Sequence, residues 1–168
     1  LGTTLYGMKN TRSVTLEMMK NHGRAVVKST NKSMTIVDMP YNTYRNKREA
    51  LKNALDILSF TKADFIKIET DIKNIEIVKY LWQNKIKVVS HIGVTPQKFS
   101  NFNNIRSVGK EKKDIDNLIY LAKKLEEAGS KLIVLECINL STSKKITRQE
   151  KKRQLMLNIL LITKLKNI

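Results

Sequence analysis

Ionisable residues recur where short apolar runs of this sequence end. Asp38 closes "MTIVD", Lys67 and Glu69 lie in "DFIKIET", His91 lies in "IKVVSHIG" and Glu136 lies in "KLIVLEC". If these runs are parallel strands, their carboxyl ends meet at one edge, which is where α/β proteins bind ligands. The regular placement therefore predicts a single site that draws one or two residues from each run.

The residue types indicate what such a site could do. Three carboxylates without a cluster of cysteines or histidines suit a hard cation such as Mg²⁺, and a nearby lysine suits an anionic substrate. Strand side chains alternate, so Lys67 and Glu69 would share one face while Ile66 and Ile68 share the other. In a barrel, the isoleucines would meet the helices and the charged residues would face the mouth.

Each residue also has a purely structural interpretation. Lys67 and Glu69 could form an ion pair with each other. His91 could be a hydrogen-bonded strand-end residue, and Asp38 could begin a turn. Glu136 is harder to explain in this way, because an unpaired carboxylate in an apolar strand is costly. One shared site accounts for all four strand ends together.

Helical spacing and short apolar runs alternate along the chain. Helices are predicted over residues 14–27, 46–60, 74–85 and 113–129, and strands over residues 34–40, 64–70, 86–93 and 131–138. Thr15 is predicted to cap the first helix, and Gly129 to end the last in a left-handed conformation. The buried stripe of the second helix is predicted to be Ala50, Leu51, Ala54, Leu55 and Leu58.

This alternation predicts parallel βαβ units, and therefore the α/β class. The sequence carries no glycine-rich phosphate-binding segment, which favours part of a (β/α)8 TIM barrel over a nucleotide-binding sheet. A flavodoxin-like sheet remains an alternative at this point. The length of 168 residues is that of one ordinary domain.

The formal net charge of +17 would ordinarily suggest a polyanionic partner. However, 25 of the 32 basic residues are lysines, whereas base-edge and bidentate phosphate recognition favours arginine. A single cysteine, Cys137, and the lack of a signal-peptide pattern indicate a reducing compartment. The most apolar run, 155–162, is broken by Asn158 and is too short to span a bilayer. We therefore expect a soluble cytoplasmic protein with no nucleic-acid or membrane partner.

Six segments together resemble the ketopantoate hydroxymethyltransferase family: "SVTLEMM", "VDMP", "FIKIE", "HIGVTPQ", "LEEAG" and "VLEC". They follow the family's order and spacing over residues 1–147. The resemblance implies a (β/α)8 barrel of the phosphoenolpyruvate-binding superfamily that depends on Mg²⁺. It implies transfer of a hydroxymethyl group from 5,10-methylenetetrahydrofolate to 3-methyl-2-oxobutanoate, giving 2-dehydropantoate in pantothenate biosynthesis. It also implies a homo-oligomer, which in the family is a decamer.

The resemblance further implies a role for each strand-end residue. Asp38 of "VDMP" would bind Mg²⁺ and contact the oxoacid, and Glu69 of "FIKIE" would be associated with the metal. Lys67 would contact the substrate. Glu136 of "VLEC" would be the catalytic proton acceptor. His91 would be a substrate-binding residue of the active-site region.

The family pattern is incomplete in this chain. The family has a metal-binding aspartate and a substrate-binding serine just before the "LG" that opens the sequence, and it continues after "KKIT" into a glycine-rich strand. Residues 1–147 are therefore predicted to be the central part of the barrel, without its first strands and C-terminal units. Residues 148–168 would be a divergent basic tail, which we interpret as a change of reading frame or as unrelated sequence. Such a chain is expected to be unstable or inactive alone.

Three other functions are compatible with parts of the sequence. The first is another Mg²⁺-dependent carbon-carbon lyase or mutase of the same superfamily, because fold and metal do not fix the substrate. The second is a basic RNA-binding protein, which the absence of an RNA-recognition pattern disfavours. The third is a noncatalytic fragment that oligomerises through its helices.

Overall fold

A computed structural model of the chain describes residues 1–98 and 106–150. The helices are α1 (Gly2–Tyr6), α2 (Leu16–Ser29), α3 (Lys47–Thr61), α4 (Ile75–Gln83), α5 (Lys112–Glu127) and α6 (Leu140–Glu150). The strands are β1 (Ile36–Asp38), β2 (Phe65–Glu69), β3 (Val88–Gly93) and β4 (Leu132–Glu136), and three short 3₁₀ helices lie at Thr11–Ser13, Ile72–Asn74 and Pro96–Lys98. The predicted strands and helices are confirmed. Most of the tail predicted for residues 148–168 lies outside the described residues.

The four strands form one parallel sheet in the order β1-β2-β3-β4. Each pair of neighbours is connected by a helix, α3, α4 or α5 in turn. A flavodoxin-like sheet reverses its strand order at a switch point, whereas a (β/α) barrel adds each strand beside the previous one. The order seen in the described residues is therefore that of four successive units of a TIM barrel.

The hydrophobic core lies between this sheet and the helices. Ile66 and Ile68 of β2 are at most 1% exposed and belong to one cluster with Leu81 of α4 and Leu125 of α5. Such side chains stabilise the fold by about 1.5–3 kcal/mol each when they are fully buried. The predicted orientation of the two isoleucines toward the helices is confirmed.

The buried face of α3 differs from the predicted stripe. Its buried residues are Ala50, Ala54, Ile57 and Thr61. Leu55 is 49% exposed, so its assignment to the core was wrong. The four buried positions follow each other at intervals of three and four residues, which keeps them on one line of the helix. Leu55 lies about 130° around the helix from that line.

The predicted helix ends are confirmed. The Thr15 side chain accepts a hydrogen bond from the Met18 N–H at 3.2 Å, which caps α2. Gly129 has φ +95°, and the Trp82 ring of α4 packs so closely on it that a Cβ would lie 2.3 Å from the ring. This contact requires glycine and joins the end of α5 to α4.

Within residues 1–98 and 106–150, none of the helices combines the length and apolar character that crossing a membrane requires.

Two glycines with positive φ allow a test of how tightly the strand ends are packed. Gly93 has φ +102° and its Cβ would lie 2.2 Å from the Glu136 carbonyl oxygen, whereas Gly7 has φ +60° and open space around it. We expect Gly7→Ala to lower the free energy of unfolding by about 1–2 kcal/mol through backbone strain. Gly93→Ala should lower the free energy of unfolding by about 1–3 kcal/mol more than Gly7→Ala does, because the new Cβ would overlap its neighbours. Urea denaturation followed by circular dichroism measures both losses, and equal losses would contradict the close approach.

Candidate active site at the carboxyl ends of the strands

The five predicted site residues lie on one face of the sheet, opposite the helix layer. Asp38 is the register partner of Lys67, Glu69 is that of His91, and Gly93 is that of Glu136. Since every one of these positions has the same parity along its strand, the side chains share a face. The structure therefore brings together all the residues that the sequence predicted, although their catalytic roles stay predictions.

Lys67 forms its ion pair with Asp38 rather than with Glu69. The Lys67 Nζ lies 3.0 Å from the Asp38 Oδ1, and the two side chains are 23% and 44% exposed. Adjacent strands are about 4.8 Å apart, whereas residues i and i+2 of one strand are about 6.6 Å apart, so the cross-strand partner is nearer. The pair is half exposed, so its charges can be reached by a ligand.

Glu69 is held in a different way. The residue is 7% exposed, and both carboxylate oxygens accept a hydrogen bond from the Gln97 N–H, at 3.0 and 3.1 Å. Burial raises the pKa of Glu69, while the Gln97 N–H and the nearby His91 and Lys67 oppose that rise. The Glu69 carboxylate is therefore a fixed hydrogen-bond acceptor, held by the 3₁₀ helix that follows β3.

Gln97 connects three strand ends, a role that sequence reasoning missed. Its side-chain Nε2 donates to the Met39 carbonyl oxygen at 3.0 Å, and its Oε1 accepts from the Tyr44 hydroxyl at 2.7 Å. Burial, together with the negative charge of Glu69, raises the pKa of Tyr44, so its hydroxyl remains a donor. The only sequence signal was the presence of Gln97 in the segment "HIGVTPQ".

His91 and Glu136 are close but poorly aligned for a hydrogen bond. The His91 Nε2 lies 3.0 Å from the Glu136 Oε2, with side-chain exposures of 1% and 23%. The two atoms are close enough for an ion pair, yet within the described residues neither ring nitrogen of His91 forms a hydrogen bond. Leaving a buried polar group in this state is costly, so such groups occur at positions that bind a ligand or do chemistry. The purely structural interpretation of His91 is not supported by these contacts.

The backbone at Glu136 and Cys137 is tightly constrained. The Glu136 carbonyl accepts from the Val94 N–H at 2.9 Å, and the Cys137 carbonyl accepts from the Val108 N–H at 2.9 Å. Cys137 has φ +52°, a left-handed conformation that is unfavourable for a residue other than glycine. The strand therefore turns sharply after Glu136, and its carboxylate is held at the end of β4 beside His91.

The residues present fit part of a Mg²⁺ site in donor chemistry. Asp38 and Glu69 offer hard carboxylate oxygens, and Asp38 is 44% exposed on its side chain. No group of three or more His, Cys, Asp or Glu side chains in residues 1–98 and 106–150 is arranged to hold a metal. Two carboxylates can supply only a fraction of an octahedral shell, which for Mg²⁺ is commonly completed by water and substrate.

A cavity of about 470 Å³ lies beside these residues, between the loops that follow β1, β2 and β3; we call it the loop cavity. It is lined by Tyr41, Asn42, Tyr44, Arg45, Glu69, Asp71, Lys73, Asn74, Ile77 and Gln97. Of the five predicted site residues, Glu69 alone belongs to this lining. The loop cavity therefore adjoins the strand ends without including the Lys67 and Asp38 pair.

Fold and site together define a class of protein: parallel βα units in barrel order, with a polar site at the carboxyl ends of the strands. The family model described as ketopantoate hydroxymethyltransferase matches residues 1–152, and the chain belongs to that family.

The chain is also similar to curated proteins named 3-methyl-2-oxobutanoate hydroxymethyltransferase. The protein from Pelagibacter ubique (strain HTCC1062) is 46% identical over 151 residues, which cover 90% of this chain and 58% of the relative. That from Anaplasma marginale (strain St. Maries) is 39% identical, covering 89% and 54%, and that from Pyrococcus furiosus is 33% identical, covering 89% and 53%. The chain thus spans about half the length of the curated relatives it matches.

The raised pKa of Glu69 gives a prediction about stability and pH. The folded state holds this proton more tightly than the unfolded state, so the stabilisation is complete below the ordinary pKa of 4.5 and is lost as pH rises through the higher folded value. The Glu69→Gln variant has no carboxyl group at this position, so it does not lose this stabilisation as pH rises. Asp38, Lys67 and His91 still face the site in both proteins. We expect the melting temperature of Glu69→Gln, relative to the natural chain, to rise between pH 4 and pH 8 in the presence of EDTA.

The exposed carboxylate Glu76, which pairs with Lys47 on the surface, provides the control for this experiment. Glu76→Gln should follow the natural chain across the same pH range. A Glu69→Gln variant whose relative stability does not change with pH would show that burial of the carboxylate has no measurable cost.

Proposed function

We propose that this chain is part of a 3-methyl-2-oxobutanoate hydroxymethyltransferase. The reaction would transfer a one-carbon unit from 5,10-methylenetetrahydrofolate to 3-methyl-2-oxobutanoate, with water supplying the hydroxyl oxygen, and would give 2-dehydropantoate and tetrahydrofolate. The observation that carries the proposal is the meeting of Asp38, Lys67, Glu69, His91 and Glu136 on one face at the carboxyl ends of four strands. Membership of the family supports it.

Glu136 is the proposed base. Its side chain is 23% exposed and belongs to the site face, so a substrate can reach the carboxylate. It would accept the proton from C3 of the oxoacid, which allows C3 to form a bond with the one-carbon unit. His91, whose Nε2 lies 3.0 Å from the Glu136 Oε2, would contact the substrate beside this carboxylate.

Lys67 and Asp38 are proposed to bind the oxoacid end of the substrate. Lys67 carries a positive charge that would neutralise the substrate carboxylate, at the cost of weakening its 3.0 Å pair with Asp38. A half-exposed ion pair contributes little stability, so this exchange of partners is inexpensive. The Asp38 carboxylate would then be available to a cation.

Mg²⁺ is the proposed cofactor, held by Asp38 with support from Glu69. When bound, it would supply Lewis-acid stabilisation of the negative charge that develops on the oxoacid. Glu69 already uses both oxygens as acceptors for the Gln97 N–H, which suits a residue that orients the metal's surroundings. The family pattern also supports a homo-oligomeric, cytoplasmic enzyme of pantothenate biosynthesis.

The chain would act as part of a larger barrel. In the described sheet β1 pairs with β2 alone, and Ile36 of β1 is 43% exposed. An uncovered strand edge and a half-open interior are unfavourable for a barrel, which normally closes on itself. These features support the proposal that further strands complete the site.

A grafted enzyme tests the reaction and the role of Glu136 together. Residues 1–147 would replace the matching segment of the Pelagibacter ubique relative, and folate-dependent deuterium exchange at C3 of 3-methyl-2-oxobutanoate would be followed by NMR. We expect exchange in the graft and a loss of about 10²- to 10⁴-fold in Glu136→Gln, because the base is removed. Glu76→Gln is the matched control and should retain exchange.

Two results would contradict the proposal. If the graft folds but shows no deuterium exchange, while the parent enzyme is active in the same assay, the proposed reaction is wrong. If deuterium exchange persists in Glu136→Gln, the assignment of Glu136 as the base is wrong.

The 168-residue chain on its own is expected to show no hydroxymethyl transfer, because the four described strands form an open sheet, whereas a barrel closes on itself. The assay is formation of 2-dehydropantoate from both substrates with Mg²⁺, compared with the Pelagibacter ubique relative at equal concentration. Transfer at the rate of that relative would refute the expectation.

A further inference from the structure

A second cavity lies at the end of the sheet that is opposite to the candidate active site; we call it the basic cavity. It has a volume of about 430 Å³, within the range of small-molecule sites, which is about 300–1,000 Å³. Two of its residues, Lys87 and Lys131, directly precede β3 and β4, so the cavity lies at the amino ends of these strands. Its lining consists of Trp82, Gln83, Lys85, Ile86, Lys87 and Lys131. The proposed reaction uses none of these residues.

The turn between α4 and β3 brings Lys85 next to Trp82. The Lys85 N–H donates to the Trp82 carbonyl oxygen at 2.9 Å, and Lys85 has φ +66°. Glycine or asparagine adopts this left-handed conformation more readily than lysine does. On the adjacent strand, the Lys131 N–H donates to the Val88 carbonyl oxygen at 2.9 Å, which holds Lys131 beside the start of β3. Backbone hydrogen bonds therefore set the positions from which these two lysines reach the cavity.

Every charged side chain in the lining of the basic cavity is a cation. Lys85, Lys87 and Lys131 are exposed, and among the described residues no carboxylate contributes to the lining. The charge of Lys87 is partly balanced by the nearby Asp64 carboxylate. Within residues 1–98 and 106–150, neither Lys85 nor Lys131 forms an ion pair. These two ammonium groups can therefore receive an anionic ligand without giving up another partner.

The charges of the lining favour a ligand with more than one negative group. A concave surface lined by charges of one sign attracts ions of the opposite sign, and the like charges repel each other when nothing neutralises them. Lysine binds phosphate as a point charge, so such a site does not require a glycine-rich loop. Three lysines in one cavity suit a polyphosphate better than a single carboxylate.

Trp82 adds an aromatic surface to the same cavity. Part of its ring packs on Gly129, which follows α5, yet the residue is 46% exposed. Any nucleic-acid base can stack on such a ring, because every base has a π-face. A ligand in this cavity can therefore combine a stacked heterocycle with anionic groups near the lysines.

We propose that the basic cavity binds a nucleotide that carries two or more phosphate groups. The base would stack on Trp82, and the phosphates would contact Lys85 and Lys131. Lys87 would contribute less, because its charge already acts on Asp64. The proposal is independent of the hydroxymethyl transfer, since the basic cavity shares no residue with the strand-end site or with the lining of the loop cavity.

Isothermal titration calorimetry of the 168-residue chain in EDTA tests the site with three probes: ATP, adenosine and tripolyphosphate. We expect ATP to bind about tenfold more weakly to Trp82→Leu and about fivefold more weakly to Lys131→Gln. Trp82→Phe and Lys131→Arg keep the ring and the charge, and should bind ATP within about twofold of the natural chain. Bound ATP should also quench the emission of Trp82, the single tryptophan of the sequence.

Lys113→Gln and Tyr120→Leu alter exposed residues of α5 outside the cavity, and they are matched controls that should bind ATP like the natural chain. Circular dichroism shows whether each variant is folded. If Trp82→Leu does not fold, the comparison of ATP with tripolyphosphate and the Lys131 variants decide the outcome.

The three probes separate a nucleotide site from a merely basic surface. ATP should bind more tightly than either tripolyphosphate or adenosine, and the binding of adenosine should not change in Lys131→Gln. Tripolyphosphate that binds as tightly as ATP would overturn the assignment of a nucleotide. A folded natural chain that does not bind ATP, or an equal loss of ATP affinity in Lys113→Gln and Lys131→Gln, would overturn the site itself.

Discussion

The two-residue repeat of the strand, combined with the parallel register, is the constraint on which this molecule depends. Asp38 lies opposite Lys67 and Glu69 opposite His91, while Ile66 and Ile68 point the other way. A register shift of one residue would exchange the two faces, so that the charged residues would enter the helix layer. The free energy required to bury unpaired charges there would exceed the small net stability of a folded domain. The apolar core and the polar site therefore fix each other's position.

The polar groups of the site are stabilised in two different ways. The Lys67 and Asp38 pair is half exposed and can exchange partners with a ligand. Glu69 is buried and is held by the Gln97 N–H, which belongs to the 3₁₀ helix after β3 rather than to the sheet. The first arrangement suits substrate capture, because little is lost when the pair opens. The second suits a fixed acceptor, because its position is set before any ligand arrives.

Much of the fold, and the placement of the five candidate residues on one face of the sheet, could be predicted from the sequence, because both follow from local periodicity. Four apolar runs between amphipathic helices predicted parallel βαβ units but left both a barrel and a flavodoxin-like strand order open, whereas the parity of residues 38, 67, 69, 91 and 136 predicted the shared face. The helix α6 was missed because its segment is strongly polar and buries little besides Ile146 and two small hydroxyl residues. The Leu55 error arose because several apolar residues of α3 compete for one face.

The partners of the site residues were not accessible from periodicity. The choice of Asp38 for Lys67 depends on the spacing between strands, and the contacts of Gln97 depend on how three loops fold over the sheet. The left-handed turn at Cys137 is likewise a tertiary effect, since nothing in a cysteine favours it. Local pattern therefore specified which residues meet, whereas loop geometry determined what each one touches.

The close packing of Trp82 on Gly129 has a practical consequence. Trp82 is the single tryptophan of the sequence, is 46% exposed, and lies where α4 meets the end of α5. Its emission is therefore an intrinsic optical probe of the docking of these two helices. The ring is absent from the lining of the loop cavity and from the strand-end site. A change in its spectrum on heating would report separation of the outer helical layer, independently of what happens at the mouth of the sheet.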